Sequence, residues 1–266
     1  GDRLDLHSFP TRRSSDLGLC IDAVGNAVFT GRFRGAVDFD PGPGVHTLVS
    51  NGANDDFFVA SFDPTGALNW AFGAGGAGGD GGHRVRVDTN GNVYVAGWFC
   101  GTCDFDPGSG IVERASSALA PGSDLFLARY AGTGTLAWVR TGGSLTAGTN
   151  DTILAGLALD PRGRPVVTGK LYGPARLDAG WTRVDFAGAG DADCLLARYD
   201  TDGRIAGPDL DRPIASSTGT SFLAWTQAGR TNVVEVTPDL AGWQAAGPAF
   251  VATGATTRAD SRPTTA

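Results

Sequence analysis

The sequence predicts an all-β fold built from serial repeats, and three observations carry that prediction. First, the stretch GNVYVAGWFCGTCDFDPG at Gly91–Gly108 occurs upstream as GNAVFTGRFRGAVDFDPG at Gly25–Gly42. It returns, more divergent, as GRPVVTGKLYGPARLDAG at Gly163–Gly180. Self-similarity over so long a period marks a repeat architecture. Second, the strands alternate. In NVYVAGWF, Val93, Val95 and Phe99 share one face, and Tyr94, Ala96 and Trp98 share the other. Apolar groups on both faces fit a sheet covered on both sides. Third, Glu occurs only at Glu113 and Glu235, Lys only at Lys170, and Met nowhere. The best helix formers are therefore almost absent, while Gly and Asp, which suit tight turns, abound.

Composition bounds the function classes. Of 266 residues, 41% are hydrophobic and 18% charged, enough for a packed core. The net charge of −7 leaves no basic footprint for nucleic acid or an anionic membrane. No apolar run reaches the length of a membrane span, so no membrane insertion is expected.

The elements follow in order. His7–Leu17, HSFPTRRSSDL, is similar to the conceptual translation of a sequencing-library adapter; the alternative is a polar, disordered arm. It has no counterpart in the repeats, so residues 1–17 are set apart from the fold. The native protein is expected to extend upstream, where a signal peptide would lie.

The first repeat, residues 18–82, opens with a short strand and turn, GLCIDAVGN. Alternating AVFTGRF, the Asp38–Gly42 DFDPG turn and a strand at Val45–Val49 follow. Asp55–Trp70 reads as a hairpin turning at Asp63–Gly66, where Asp-Pro-Thr-Gly suits a type I turn. Gly73–Gly82 reads as a flexible loop between repeats. The second repeat, residues 83–150, matches it through VRVDTNGN and the hairpin Ser123–Trp138. The third, residues 151–207, matches through LALDPRGR, DCLLARYD and DTDGRIAG. Each repeat offers about four short strands, and a four-stranded unit apolar on both faces, repeated serially, describes a propeller blade. The expectation is an incomplete β-propeller of about three blades, because a closed ring takes four or more.

The pattern D-x-x-GN-x-Y-x-x-G-x-F-x-GT-x-DFDPG, then D-x-F-x-A-x-Y and G-x-L-x-W, resembles the bacterial SBBP β-propeller repeat family over residues 18–207. The third repeat departs from it: Arg164 replaces the turn Asn, Ala179 the Pro, and Gly207 the Trp. The resemblance implies an exported or cell-surface bacterial protein, in a family mostly without assigned activity.

Pro208 and Pro213 flank an Asp-rich linker, residues 208–213, after which the repeat pattern stops. Thr220–Thr226, Asn232–Thr237 and Phe250–Thr253 read as strands. The order F-x-A-W, GRT-x-x-VE and DL-x-x-W resembles Ig- or fibronectin-III-like C-terminal modules of bacterial surface proteins. A partial β-sandwich-like module, truncated at its C-terminus, is expected over residues 214–266.

Candidate chemistry is thin. Cys100 and Cys103 form CGTC at an expected hairpin tip. In an exported protein they would close a small disulfide, stabilising by about 2 kcal/mol before strain. Two thiols are the alternative, and redox or metal chemistry a weaker one, since no helix N-terminus is expected there. Cys20 and Cys194 read as small apolar fillers. Asp38 with Asp40, and Asp104 with Asp106, could supply oxygen ligands to calcium; the structural alternative is capping of backbone N–H groups in the turn. Asp88–Asn92 resembles the start of a calcium loop but lacks the distal Glu, so a hairpin turn is expected. Gly73, Gly75 and Gly78 match a dinucleotide fingerprint as a string, yet a strand follows where a helix is needed. Of the histidines outside the adapter-like stretch, His46 and His83, neither has a nucleophile pattern nearby. The expected function is a non-enzymatic scaffold, without cofactor, presenting loops to a protein or glycan. The alternatives are a calcium-stabilised adhesion module and a non-catalytic part of a larger secreted hydrolase.

Overall fold

A computed structural model describes residues 18–116, 122–145, 153–171, 174–178, 180, 183–186 and 193–205, and four two-residue strands between 231 and 251. Among the described residues every strand pairing is antiparallel, no helix occurs and no sheet closes on itself. The first unit holds β1 (Gly18–Ile21), β2 (Ala27–Phe33), β3 (Ala36–Asp38), β4 (Thr47–Val49), β5 (Asp56–Phe62) and β6 (Leu68–Gly76). The second holds β7 (Asp80–Val87), β8 (Val93–Phe99), β9 (Thr102–Asp104), β10 (Glu113–Ala115), β11 (Asp124–Tyr130) and β12 (Leu136–Ser144). The third holds β13 (Ile153–Leu159), β14 (Pro165–Leu171), β15 (Ala175–Asp178), β16 (Arg183–Phe186) and β17 (Asp193–Arg198), and a bridge joins Tyr199 to Ile205.

In the first two units, four strands form a meander, β1-β2-β5-β6 and β7-β8-β11-β12, and the third contributes β13-β14-β17. The turns explain the meander. Asp22 N–H donates to Asn26 O, and Gly25 N–H donates back to Asp22 O. The same closure recurs at Asp88 and Asp160. Gly25, Gly91 and Gly163 take φ of 90°, 78° and 75°, which a side chain would disfavour. The Asp side chain caps the turn: Asp22 Oδ1 accepts from Val24 N and Asn26 N, as Asp88 and Asp160 do at their own turns.

Each unit carries more than the four strands expected. A small hairpin sits between its second and third long strands: β3–β4, β9–β10 and β15–β16. The DFDPG segment is the tip of this hairpin. The CGTC turn therefore does not close a hairpin on β8. It carries the chain across to the preceding unit, where β9 pairs with β6.

The alternation reads through to the cores. Val93, Val95 and Phe99 of β8 pack in one cluster with Phe57, Val59 and Phe72 of the first unit. Tyr94 and Ala96 pack in another with Leu157, Val167 and Leu195 of the third. Strand β11 splits likewise, Phe126, Ala128 and Tyr130 to the first cluster and Leu125 and Leu127 to the second. The second unit is thus buried on both faces, and each large apolar side chain sealed there stabilises by about 1.5–3 kcal/mol.

The glycine stretch at Gly73–Gly82 is not a loop. Strand β6 runs through Gly76 and β7 begins at Asp80. Of the expected C-terminal module, the described residues are β18 (Thr231–Asn232), β19 (Glu235–Val236), β20 (Gln244–Ala245) and β21 (Phe250–Val251). They pair β18 with β21 and β19 with β20. Residues 1–17, the linker at 208–213 and the rest of 214–266 lie outside the described residues.

Candidate functional site

The DFDPG turns place the four candidate carboxylates at the hairpin tips, where backbone N–H groups take them up. Asp38 Oδ1 accepts from Asp40 N at 3.0 Å and from His46 N at 2.8 Å, and Asp40 Oδ1 accepts from Gly42 N at 2.7 Å. The second copy repeats this: Asp104 Oδ1 accepts from Asp106 N at 3.1 Å and Val112 N at 2.9 Å, and Asp106 Oδ1 from Gly108 N at 2.9 Å. The N–H groups of His46 and then Asp40 hold the Asp38 carboxyl below the usual carboxylate range. In the third unit Arg176 stands where Asp104 stands, and its guanidinium grips Asp185 with two bonds of 2.6 and 2.8 Å. Among the described residues, no three His, Cys, Asp or Glu side chains come together as a metal site would require.

Cys20, Cys100 and Cys103 are thiols, none joined in a disulfide. Cys103 faces the core, fully buried among Phe57, Phe99 and Phe105, while Cys100 stays half-exposed on the turn. Burial, reinforced by the charges of Asp80, Asp56 and Asp104, pushes the Cys103 thiol far above its ordinary range. Burial likewise raises Cys20 to about 11. A redox-active pair needs a stabilised thiolate, and this environment opposes one. The side chain of Cys194 lies outside the described residues.

Two acids that sequence reasoning passed over, Asp80 and Asp56, are both held above the ordinary carboxylate range. Asp80, 0% exposed, opens β7. Its Oδ2 accepts from Gly76 N at 2.8 Å and its Oδ1 from Cys100 N at 3.3 Å. Desolvation raises it to about 7, against those two N–H groups and with help from Asp56. Asp56, 3% exposed, opens β5; its Oδ2 accepts from Asn51 N at 2.7 Å and its Oδ1 has no hydrogen-bond partner. Burial raises it as well. The Asp at the start of the third long strand, Asp56, Asp124 and Asp193, was the available signal. A perturbed carboxyl pair invites a catalytic reading, but both side chains are buried and tied to backbone N–H groups of their own turns.

The two described histidines, His46 and His83, are occupied with main-chain carbonyls. His46 Nε2 lies 2.8 Å from Ala71 O, fastening the small hairpin over its own sheet, and His83 Nδ1 lies 2.8 Å from Leu154 O of the next unit. Other polar groups also join neighbouring units. Trp138 Nε1 and Arg129 donate to Thr201 O, and Arg140 donates to Gly203 O. Polar chemistry here is spent on closing turns and fastening units together.

Among the described residues no helix is long and apolar enough to cross a membrane. A scan against protein-family models gives no match to this chain, and a search of curated proteins finds no relative.

Proposed function

We propose that the chain is a non-enzymatic, β-propeller-type scaffold of an exported or cell-surface bacterial protein, whose loops receive a protein or glycan ligand. In this reading the three units are SBBP-like blades, and residues 214–266 form a partial Ig- or fibronectin-III-like module. One observation carries it: the turn carboxylates, His46, His83 and the bridging arginines are committed to backbone groups within and between units. Such a molecule holds surfaces in place, and among the described residues these groups are turned to structure and away from any substrate. A panel of chromogenic glycoside, ester and peptide substrates tests it. No turnover is expected. Turnover abolished by one Asp→Asn substitution would replace the scaffold with a hydrolase, and a glycan array and surface-protein panel would then name the ligand class of the scaffold if none is seen.

A further inference from the structure

In two of the three units the small hairpin is docked on the unit before it. Strand β9 pairs with the end of β6, Asp104 opposite Gly75 and Cys103 opposite Gly76. Strand β15 pairs with the end of β12 in the same register, Arg176 opposite Gly143 and Ala175 opposite Ser144. The residues differ, yet the rule is one: the last strand of a unit ends in two small residues that receive the next hairpin. At the first junction the pairing leaves no room beside the strand, since a Cβ at Gly76 would collide with Thr102 O, whereas the second accommodates the small Ser144 at that place.

The hairpin of the first unit, β3–β4, forms a two-stranded sheet of its own. Phe39 N–H donates to His46 O and Ser50 N–H to Gly35 O, so alternate residues of β3 face β4. The main-chain groups of Ala36 and Asp38 therefore point outward, and both residues are exposed. Val37 is half-buried where Cys103 and Ala175, at the equivalent position, are both 0% exposed.

The sheet face beside it shows the same contrast. Leu19 is 52% exposed, whereas Val85 and Leu157, its equivalents, are 0% and 4% exposed. Ile21 is 61% exposed, whereas Val87 and Leu159 pack against the cores between units. Leu19 pairs with Phe29 across the sheet, and Phe29 packs on the cluster of Phe33, Phe39, Phe58 and Phe62. These are the positions that the preceding unit seals in the second and third units.

We propose that this face and the outer edge of β3 are a docking surface, and that its occupant is the last strand of another four-stranded unit of this type. That strand carries Trp, four residues, then Gly followed by Gly or Ser, as Trp70–Gly76 and Trp138–Ser144 do. The partner adds its strand to the edge of β3, the mode by which extended segments bind exposed sheet edges. A second copy of this chain is the poorer occupant, because its own β6 and β12 are already taken by β9 and β15 and its third repeat has Gly207 in place of that Trp. The inference rests on the two observed junctions and needs neither a closed ring nor the scaffold role.

The test uses the full chain carrying Val37→Cys and a synthetic peptide of residues 136–145 carrying Ser144→Cys. Val37 stands where Ala175 faces Ser144, so the two thiols meet at disulfide distance. Oxidation is expected to cross-link this peptide about tenfold faster than one carrying Thr141→Cys, whose thiol is off register. Amide exchange at Asp38 should slow when the peptide is added. Equal rates for the two peptides, or a rate no higher than for the chain without Val37→Cys, would overturn the proposal. The full chain alone should stay monomeric; oligomers dispersed by Leu19→Asp with Ile21→Asp would put a second copy in the site and overturn the choice of occupant. Both residues are exposed, so unchanged melting of that variant shows that the fold is intact. Substrate turnover plays no part in these readouts, so they fail or succeed apart from the scaffold reading.

Discussion

The junction between the first and second units is centred on phenylalanines, and the one between the second and third is mainly aliphatic, with Tyr94, Trp138 and Tyr199 at its margins. At the first, Phe126 meets Phe57 at 4.9 Å and Phe105 at 5.0 Å, and Phe72 meets Tyr130 at 4.7 Å. At the second, Leu125, Leu177 and Leu195 hold the places of Phe57, Phe105 and Phe126. Arg140 holds the place of Phe72. It reaches out to Gly203 O at 2.6 Å, and its guanidinium lies 5.4 Å from the Trp138 ring. One backbone register thus tolerates two solutions: ring packing, or smaller side chains supplemented by polar contacts to a neighbouring turn. Only the first junction has the Asp56–Asp80 pair beside a buried thiol, Cys103.

The largest expected effect follows from the aromatic side. Phe126→Ala empties a fully buried site among rings and should cost about 3–5 kcal/mol. Leu195→Ala at the equivalent place should cost about 2–3 kcal/mol. Urea midpoints of the two variants measure the difference, and equal losses would mean that ring packing adds nothing at the first junction.

Next in size is the pH response. Asp80 keeps its proton in the folded chain up to about 7, whereas a free carboxyl releases it near 3.8. Between those values the folded chain holds a proton that the unfolded chain has released, so stability falls as pH rises through the window. Asp56 pushes the same way. Asp63 and Asp185, held low by bonds from Thr65 and from Arg176, act oppositely and lose stability only as pH falls below the usual carboxylate range. Melts in urea should therefore show a loss of about 2–4 kcal/mol from pH 4 to pH 7. Asp80→Asn should flatten most of that slope; an unchanged slope would detach the effect from this acid.

These two predictions draw on parts of the molecule that the sequence displays unequally. Strand alternation was legible: the split of Val93, Val95 and Phe99 from Tyr94 and Ala96 is the split between the two cores. So were the Asp-x-x-Gly turns, whose chemistry is local. The hairpin crossing was not legible. Strand β9 has three residues, and its partner β6 lies in the unit before. No local pattern marks such a pairing except the small residues that permit it. The same residues made Gly73–Gly82 look like a loop, although a Cβ at Gly75 would collide with the Asp56 carboxylate. Asp80 was hidden for a related reason: Gly-Asp-Gly-Gly looks like an exposed turn, and its burial comes from strands distant in the chain. For the candidate site, the DFDPG string marks a turn, and the four aspartates do lie at hairpin tips. What their oxygens bind depended on hairpin geometry.

A smaller effect belongs to the aliphatic junction. Arg140→Ala removes the bond to Gly203 O and the ring contact with Trp138, and should cost about 1–2 kcal/mol. Hydrogen exchange should locate the loss in Asp200–Arg204, with the first junction unaffected. Loss spread evenly over both junctions would mean that the arginine acts on the whole chain and is no local substitute for Phe72.

The smallest expected effect is that of calcium, and it asks whether the hairpin tips of the first two units differ in kind from that of the third. An ion at Asp38–Asp40 or Asp104–Asp106 would compete with the N–H groups of His46 and Val112 for Asp38 Oδ1 and Asp104 Oδ1. The third tip has Arg176 in that position, so a calcium role would have to be confined to two of three equivalent turns. Millimolar calcium is therefore expected to leave Tm within about 1 °C of its value in chelator, since a ligand stabilises only by binding the folded state. A rise of several degrees that disappears in the Asp38→Asn, Asp104→Asn double variant would show that the tips are ion sites first and turn caps second. That result would move the molecule toward the calcium-stabilised adhesion module.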